Sequence, residues 1–161
     1  MRNEIAGLLT IIVTFICALV LQIIPLPAQF DVFRPDWVLA CLVYWCIALP
    51  FRVNIVSAFV VGLLLDLLLG SILGVRSLTL SLVAYVAVIN YTRMRNLSLW
   101  QQAIGIGLLT LLSKVIVFWI EYVLNGVHLP HGYFYSVVTT MIIWPWVYLF
   151  LRKLRRRFRL E

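Results

Sequence analysis

The chain has 161 residues, of which 64% are hydrophobic and 12% are charged, and its formal net charge is +7. A soluble domain carries about 25% charged residues, so this composition excludes an ordinary soluble protein and indicates an integral membrane protein. Any binding surface is therefore expected within the membrane or at its edges.

Six apolar segments follow one another along the chain and are joined by short polar connectors. The first segment, residues 5–24, has the length of a membrane span and exceeds the apolar region of a signal peptide, so we interpret it as a retained helix. The sequence thus predicts an all-α polytopic membrane protein that forms a single transmembrane domain over residues 1–161. The later segments comprise residues 37–49, 53–69, 77–91, 103–123 and 133–151.

The second segment, residues 37–49, is short for a membrane span. An apolar run of this length is also typical of a re-entrant element, and a re-entrant hairpin made from segments two and three would leave the orientation of the other spans unchanged. We expect six transmembrane helices, and four spans with a re-entrant hairpin remain as the alternative.

Basic residues are concentrated in alternate connectors, and this asymmetry predicts the orientation of the chain. With both termini in the cytoplasm, ten of the 13 basic residues lie on the inner side, whereas only Arg34 and Arg76 fall in outer connectors. Nucleic-acid binding is not expected, because no folded basic face is available to position a phosphate backbone. The C-terminal basic cluster is instead expected to contact anionic lipid headgroups. This cluster consists of Arg152, Lys153, Arg155, Arg156, Arg157 and Arg159.

Three ionisable residues lie inside predicted spans: Asp66, Lys114 and Glu121. Charges in lipid are costly and normally face protein or water in pairs. Lys114 and Glu121 share one helix face, and Arg76 begins the helix that follows segment three. We expect a polar cluster toward the outer leaflet, in which Asp66 pairs with Arg76 or Lys114 and Glu121 pairs with the remaining cation. Two interpretations stay open, namely buried pairs that fix helix register and a ligand cavity that opens outward.

Sequence motifs of common enzyme classes are absent, so we expect no catalytic activity and no cofactor. His128 and His131 are separated by Pro130, which prevents their pairing on a helix, and no third ligand of the usual type is nearby. No metal site is therefore expected. A single intramembrane aspartate does not form an aspartyl dyad, and the chain has no phosphate-binding loop.

Several short motifs occur in a fixed order. An Arg-Pro-x-Trp entry precedes the second segment, which ends in Leu-Pro-x-Arg, and a hairpin of the form G-x-x-x-D-x-x-x-G-x-x-x-G is followed by L-G-V-R. Together with the connector RNLSLWQQA and the C-terminal WPWVYLFLRKLRRRF, they cover essentially the whole chain and resemble the MreD family of rod shape-determining proteins. The motif positions that the resemblance singles out are Arg34, Pro35, Trp37, Gly62, Gly70 and Gly74.

The resemblance implies a non-enzymatic scaffold of the bacterial inner membrane. MreD-like proteins bind MreC directly, and they belong with MreB, RodA and the penicillin-binding protein PBP2 to the complex that supports lateral peptidoglycan synthesis and rod shape. The implied fold is similar to the substrate-binding subunit of energy-coupling-factor transporters, with a pocket near Asp66, Arg76 and Glu121. Lys114 departs from the family pattern, which has an acidic residue near this position. A subunit that binds or transports a small molecule or lipid through an outward-facing polar pocket remains the alternative function.

Overall fold

The structure, a computed structural model, describes residues 2–25, 27, 32–126 and 132–157, and within them the side chains of residues 2–6 and 125 are not described. His128, His131 and Arg159 therefore lie outside the described residues. The described chain is helical and has no strand, so the predicted all-α class is confirmed. Its seven helices are α1 (Arg2–Ile23), α2 (Trp37–Ala48), α3 (Ile55–Leu69), α4 (Val75–Ile89), α5 (Tyr91–Asn96), α6 (Leu99–Asn125) and α7 (Tyr135–Arg157).

Each of the six predicted apolar segments overlaps one helix, and the short helix α5 lies in the basic connector between α4 and α6. Helix α6 begins at Leu99, ahead of the apolar run, because Ser98 and Gln101 form a capping box. The Ser98 amide donates to Gln101 Oε1 at 3.1 Å, and the Gln101 amide donates to Ser98 Oγ at 3.5 Å. Polar caps of this kind extend a helix beyond its apolar residues, which hydropathy alone does not reveal.

Helix α2 is the centre of the bundle. Residues 38–47 are buried without interruption, and the helix packs against α1, α4, α5, α6 and α7. A helix that is apolar on every side is stable only where its whole circumference is covered. Its 12 residues extend about 18 Å, which is less than the roughly 30 Å of a bilayer's hydrocarbon core. The shortness of the second segment therefore coincides with burial inside the protein.

The outer surface of the bundle is apolar. In α1, Ile11 and Phe15 are buried, while Leu8 and Ile16 are 55% and 53% exposed. Soluble proteins rarely expose contiguous apolar patches larger than a few hundred Å². By length and composition, Leu99–Leu124 and Tyr135–Arg157 are also long and apolar enough to cross a membrane. These features fit helices whose outer faces contact lipid acyl chains.

Helices α3 and α4 form the most extensive helix pair. A Cβ atom added at Gly62 would lie 2.4 Å from Ser77 Cα and 2.8 Å from Ser77 N, so the two backbones are in direct contact there. The chain reverses between Gly70, with φ 61°, and Gly74, with φ 100°, and both angles favour glycine. Asp66 lies one helical turn after Gly62, so this close approach brings its side chain to the start of α4.

Candidate functional site

Asp66 is fully buried, and groups of the α3–α4 turn bind its carboxylate. Oδ2 accepts hydrogen bonds from the amides of Gly74 at 2.9 Å and Ser77 at 3.4 Å, and Oδ1 accepts from the Arg76 amide at 3.3 Å. The hydroxyls of Ser71 and Ser77 donate to the carboxylate at 3.0 and 3.3 Å. The first amides of a helix have no carbonyl partner within it, and Gly74 has no side chain that could cap α4. Asp66 therefore caps α4 from the neighbouring helix.

Arg76 lies between two acidic side chains. Its Nε atom is 3.7 Å from Asp66 Oδ1, and its Nη2 atom is 4.0 Å from Glu121 Oε1. The side chains of Arg76 and Glu121 are 28% and 29% exposed, so solvent screens their attraction. The prediction that Asp66 pairs with Arg76 or Lys114 agrees with the first of these pairs. The prediction that Glu121 pairs with a separate cation is wrong, because both acids share Arg76.

We expect Arg76→Gln to lower the free energy of unfolding by no more than about 1 kcal/mol, since both ion pairs are long and backbone amides already bind the Asp66 carboxylate. Thermal unfolding in mild detergent measures this loss. Lys114→Gln is the matched control, because it removes a cation that has no acidic partner among the described residues. A loss above about 3 kcal/mol for Arg76→Gln would show that the ion pair, rather than the amides of α4, stabilises the Asp66 carboxylate.

Lys114 contacts an aromatic ring instead of an acid. Its Nζ atom lies 5.0 Å from the ring centroid of Tyr133, which is within the range of a cation–π interaction. The Tyr133 hydroxyl donates to the backbone carbonyl of Lys114 at 3.3 Å, so the ring is held beside the lysine. Lys114 thus forms no direct pair with Asp66 or Glu121, contrary to the expected role of neutralising one of them.

A small polar cavity lies beside Arg76, with a volume of about 30 Å³. Two members of the predicted polar cluster line it, Arg76 and Lys114. Its wall also contains the polar side chains of Asp36, Ser113 and Tyr133. The sequence did not point to Asp36, which lies in a connector outside the apolar spans, or to Tyr133, which begins the sixth predicted segment and is not a charged residue. The volume holds about two water molecules, so the geometry favours bound water over a small-molecule substrate. Asp66 and Glu121 are neighbours of the cavity through Arg76 and are not in its wall.

Comparison with known proteins assigns the chain to a family. A profile described as rod shape-determining protein MreD matches residues 2–154. The rod shape-determining protein MreD of Haemophilus influenzae is 37% identical over 152 residues, which cover 94% of each chain. The chain belongs to the MreD family. It is accordingly a membrane protein with a role in rod shape determination, and no solved structure matches it.

The residues of the MreD-like Arg-Pro-x-Trp motif fasten the connector between α1 and α2 to the bundle. Arg34 Nη1 donates to the backbone carbonyl of Gln22 at 2.5 Å. Gln22 lies in the last turn of α1, where carbonyls have no partner within the helix. The Trp37 amide donates to Gln22 Oε1 at 3.1 Å, and the Asp36 amide donates to Thr140 Oγ1 of α7 at 3.0 Å. These motif residues therefore join α1, α2 and α7 at the end of the bundle that contains Asp66.

Basic side chains gather at the opposite end of this MreD-family bundle, where α2, α4 and α7 finish. The acidic side chains that the structure describes, Asp36, Asp66 and Glu121, all belong to the Asp66 end. The bundle is thus electrically asymmetric along its axis. The basic side chains described at this end include Arg93, Arg95, Arg152, Lys153, Arg155, Arg156 and Arg157.

An apolar groove of about 470 Å³ runs along the outside of the bundle between α1 and α7. Both helices pack on α2, but they make little contact with each other. Cys41 of α2 lies in the floor of the groove, Cys17 and Ala18 of α1 form one wall, and Trp146 and Phe150 of α7 form the other. The groove therefore has small side chains at Cys17, Ala18 and Cys41 and large aromatic rings at Trp146 and Phe150.

Proposed function

We propose that the protein is an inner-membrane scaffold of the bacterial cell-elongation complex that binds MreC directly. In this role it supports lateral peptidoglycan synthesis and rod shape, with MreB, RodA and PBP2 in the same complex. The observation that carries the proposal is membership of the MreD family over residues 2–154. The small volume of the polar cavity is consistent with it, since a scaffold needs no substrate-sized chamber.

The proposal includes a six-span topology, similar to the substrate-binding subunit of energy-coupling-factor transporters, with both termini in the cytoplasm. The charge asymmetry of the bundle supports this orientation, because basic residues near the ends of spans are retained on the cytoplasmic side. The Asp66 end then faces the periplasm, and the arginine-rich end faces the cytoplasm. The six apolar helices, with α2 enclosed by the others, support the number of spans.

We assign the α1–α7 groove as the surface that receives the single membrane helix of MreC. Helices in lipid associate through close van der Waals packing, and small side chains allow a partner backbone to approach. Cys17, Ala18 and Cys41 provide such side chains, while Trp146 and Phe150 offer large surfaces to a second side of the same helix. A convex face of the bundle would contact a partner along one line only.

Co-purification from a detergent extract tests the scaffold and the groove separately. We expect the wild-type chain to recover MreC, and Cys17→Trp to reduce the recovered MreC by about tenfold or more, because the indole occupies the groove. Ile16→Trp is the matched control, since Ile16 is the adjacent residue of α1, is 53% exposed and lies outside the groove.

The two parts of the proposal fail in different ways. If the wild-type chain recovers no MreC, the scaffold function is contradicted. If MreC is recovered equally with Cys17→Trp and with Ile16→Trp, the groove is not the docking surface, and the scaffold function stands.

A further inference from the structure

A small recess of about 20 Å³ lies at the basic end of the bundle, between α2, α5 and α7. Tyr44 of α2 lines it and is only 2% exposed, and the Tyr44 hydroxyl has no hydrogen-bond partner among the described residues. A buried polar atom without a partner is uncommon, because its lost hydration is not replaced. The recess therefore presents a hydroxyl group that a polar occupant can bind.

Two arginines border the same recess, Arg95 of α5 and Arg155 of α7. Neither guanidinium has a hydrogen bond or ion pair within the part of the chain that the structure describes. Among the side chains that the structure describes, the acidic ones lie at the far end of the bundle, where Asp36 precedes the first residue of α2. Two arginines and a tyrosine with an unpartnered hydroxyl thus line a space without a described counter-charge.

We propose that Arg95, Arg155 and Tyr44 form a binding site for a phosphate group. Guanidinium groups match the geometry of phosphate oxygens through paired N–H donors, and the Tyr44 hydroxyl supplies a further donor. The recess admits a group the size of one oxygen atom, so the remainder of the phosphate lies at the surface beside exposed Arg95. The phosphate belongs to an anionic phospholipid headgroup or is free in solution. The site goes beyond the scaffold function and does not depend on MreC.

Lipid titration of the full chain in a neutral detergent tests the site. Phosphatidylglycerol, phosphatidylcholine and inorganic phosphate are the three probes, and native mass spectrometry gives the dissociation constants. We expect phosphatidylglycerol to bind, and Arg155→Gln to weaken its binding by about tenfold. Tyr44→Phe, which keeps the ring and removes the hydroxyl, is expected to weaken it by about fivefold. Arg156→Gln is the matched control, because this exposed neighbour does not line the recess.

The remaining outcomes decide the source of the phosphate or overturn the site. Saturable binding of inorganic phosphate that competes with phosphatidylglycerol and is lost in Tyr44→Phe assigns the site to a free phosphate. Equal weakening by Arg155→Gln and Arg156→Gln overturns the site in favour of diffuse attraction, as does wild-type affinity in Tyr44→Phe. A destabilised Arg155→Gln variant with unchanged affinities also overturns it, because the arginine then only complements the C-terminal end of α2. Tyr44→Phe keeps the test decisive if Arg155→Gln does not fold.

Discussion

Replacing Asp66 by alanine is expected to lower the free energy of unfolding by about 3–5 kcal/mol. The substitution removes the acceptor for the amides of Gly74, Arg76 and Ser77 at the start of α4 and leaves that of Ser77 buried without a partner. It also removes a negative charge from the N-terminal end of α4, where the helix dipole stabilises one. Thermal or detergent-induced unfolding of the purified protein, together with its yield in membranes, measures the effect.

Two further variants separate helix capping from ion pairing. Glu121→Ala is the control, and a loss below about 1 kcal/mol is expected because this carboxylate is partly solvated. The double variant Asp66→Ala/Arg76→Ala is expected to be as unstable as Asp66→Ala alone, since the amides of α4 remain unpaired in both. If the double variant recovers most of the lost stability, the Asp66–Arg76 ion pair and not the cap is the main interaction.

Gly62→Ala is expected to destabilise the protein by about 3 kcal/mol, even though alanine favours helices by about 1 kcal/mol over glycine. The added methyl group would meet the backbone of Ser77 at 2.4 and 2.8 Å, and a backbone cannot move aside as a flexible side chain can. The helices must separate, which also draws the start of α4 away from Asp66. Unfolding in mild detergent measures this loss.

Gly105→Ala is the matched control for Gly62→Ala. Gly105 lies inside α6, and the nearest atom to an added Cβ is the methyl carbon of Met94 at 3.3 Å, the end of a flexible side chain. We expect this variant to be within about 1 kcal/mol of the wild type or slightly more stable. A Gly62→Ala variant as stable as Gly105→Ala would contradict a direct backbone contact between α3 and α4.

The helical class and the tight turn of the α3–α4 hairpin can be predicted from local sequence features. Apolar segment length predicts helices, and the spacing of Gly62, Asp66, Gly70 and Gly74 indicates one helix face followed by a tight turn. The binding partners of Asp66 could not be predicted in the same way, because most of them are backbone amides, which every residue other than proline carries. Opposite charge predicts Arg76 as a partner of Asp66, but it does not predict the amides of Gly74 and Ser77.

Other parts of the arrangement depend on tertiary contacts that no local pattern encodes. The position of Lys114 is set by Tyr133, an aromatic residue in a connector 19 positions away along the chain. The central position of α2 could not be predicted from the sequence, because a uniformly apolar helix has no polar face that distinguishes one side from another. Its apolar sequence fits a lipid environment and a protein interior equally well, and only the packing of the other helices distinguishes the two.

The burial of α2 constrains how the protein is made. Synthesis proceeds from the N-terminus, and of the helices that surround α2 only α1 precedes it, whereas α4, α5, α6 and α7 emerge from the ribosome later. Until then Trp45, bonded through its indole N–H to Thr14 of α1 at 3.0 Å, has only part of its final enclosure. Residues 38–47 consequently reach their native environment only after α7 has been synthesised and has packed on α2. Completion of this fold is thus a late event, and in a chain that stops before α7 the helix α2 stays partly uncovered.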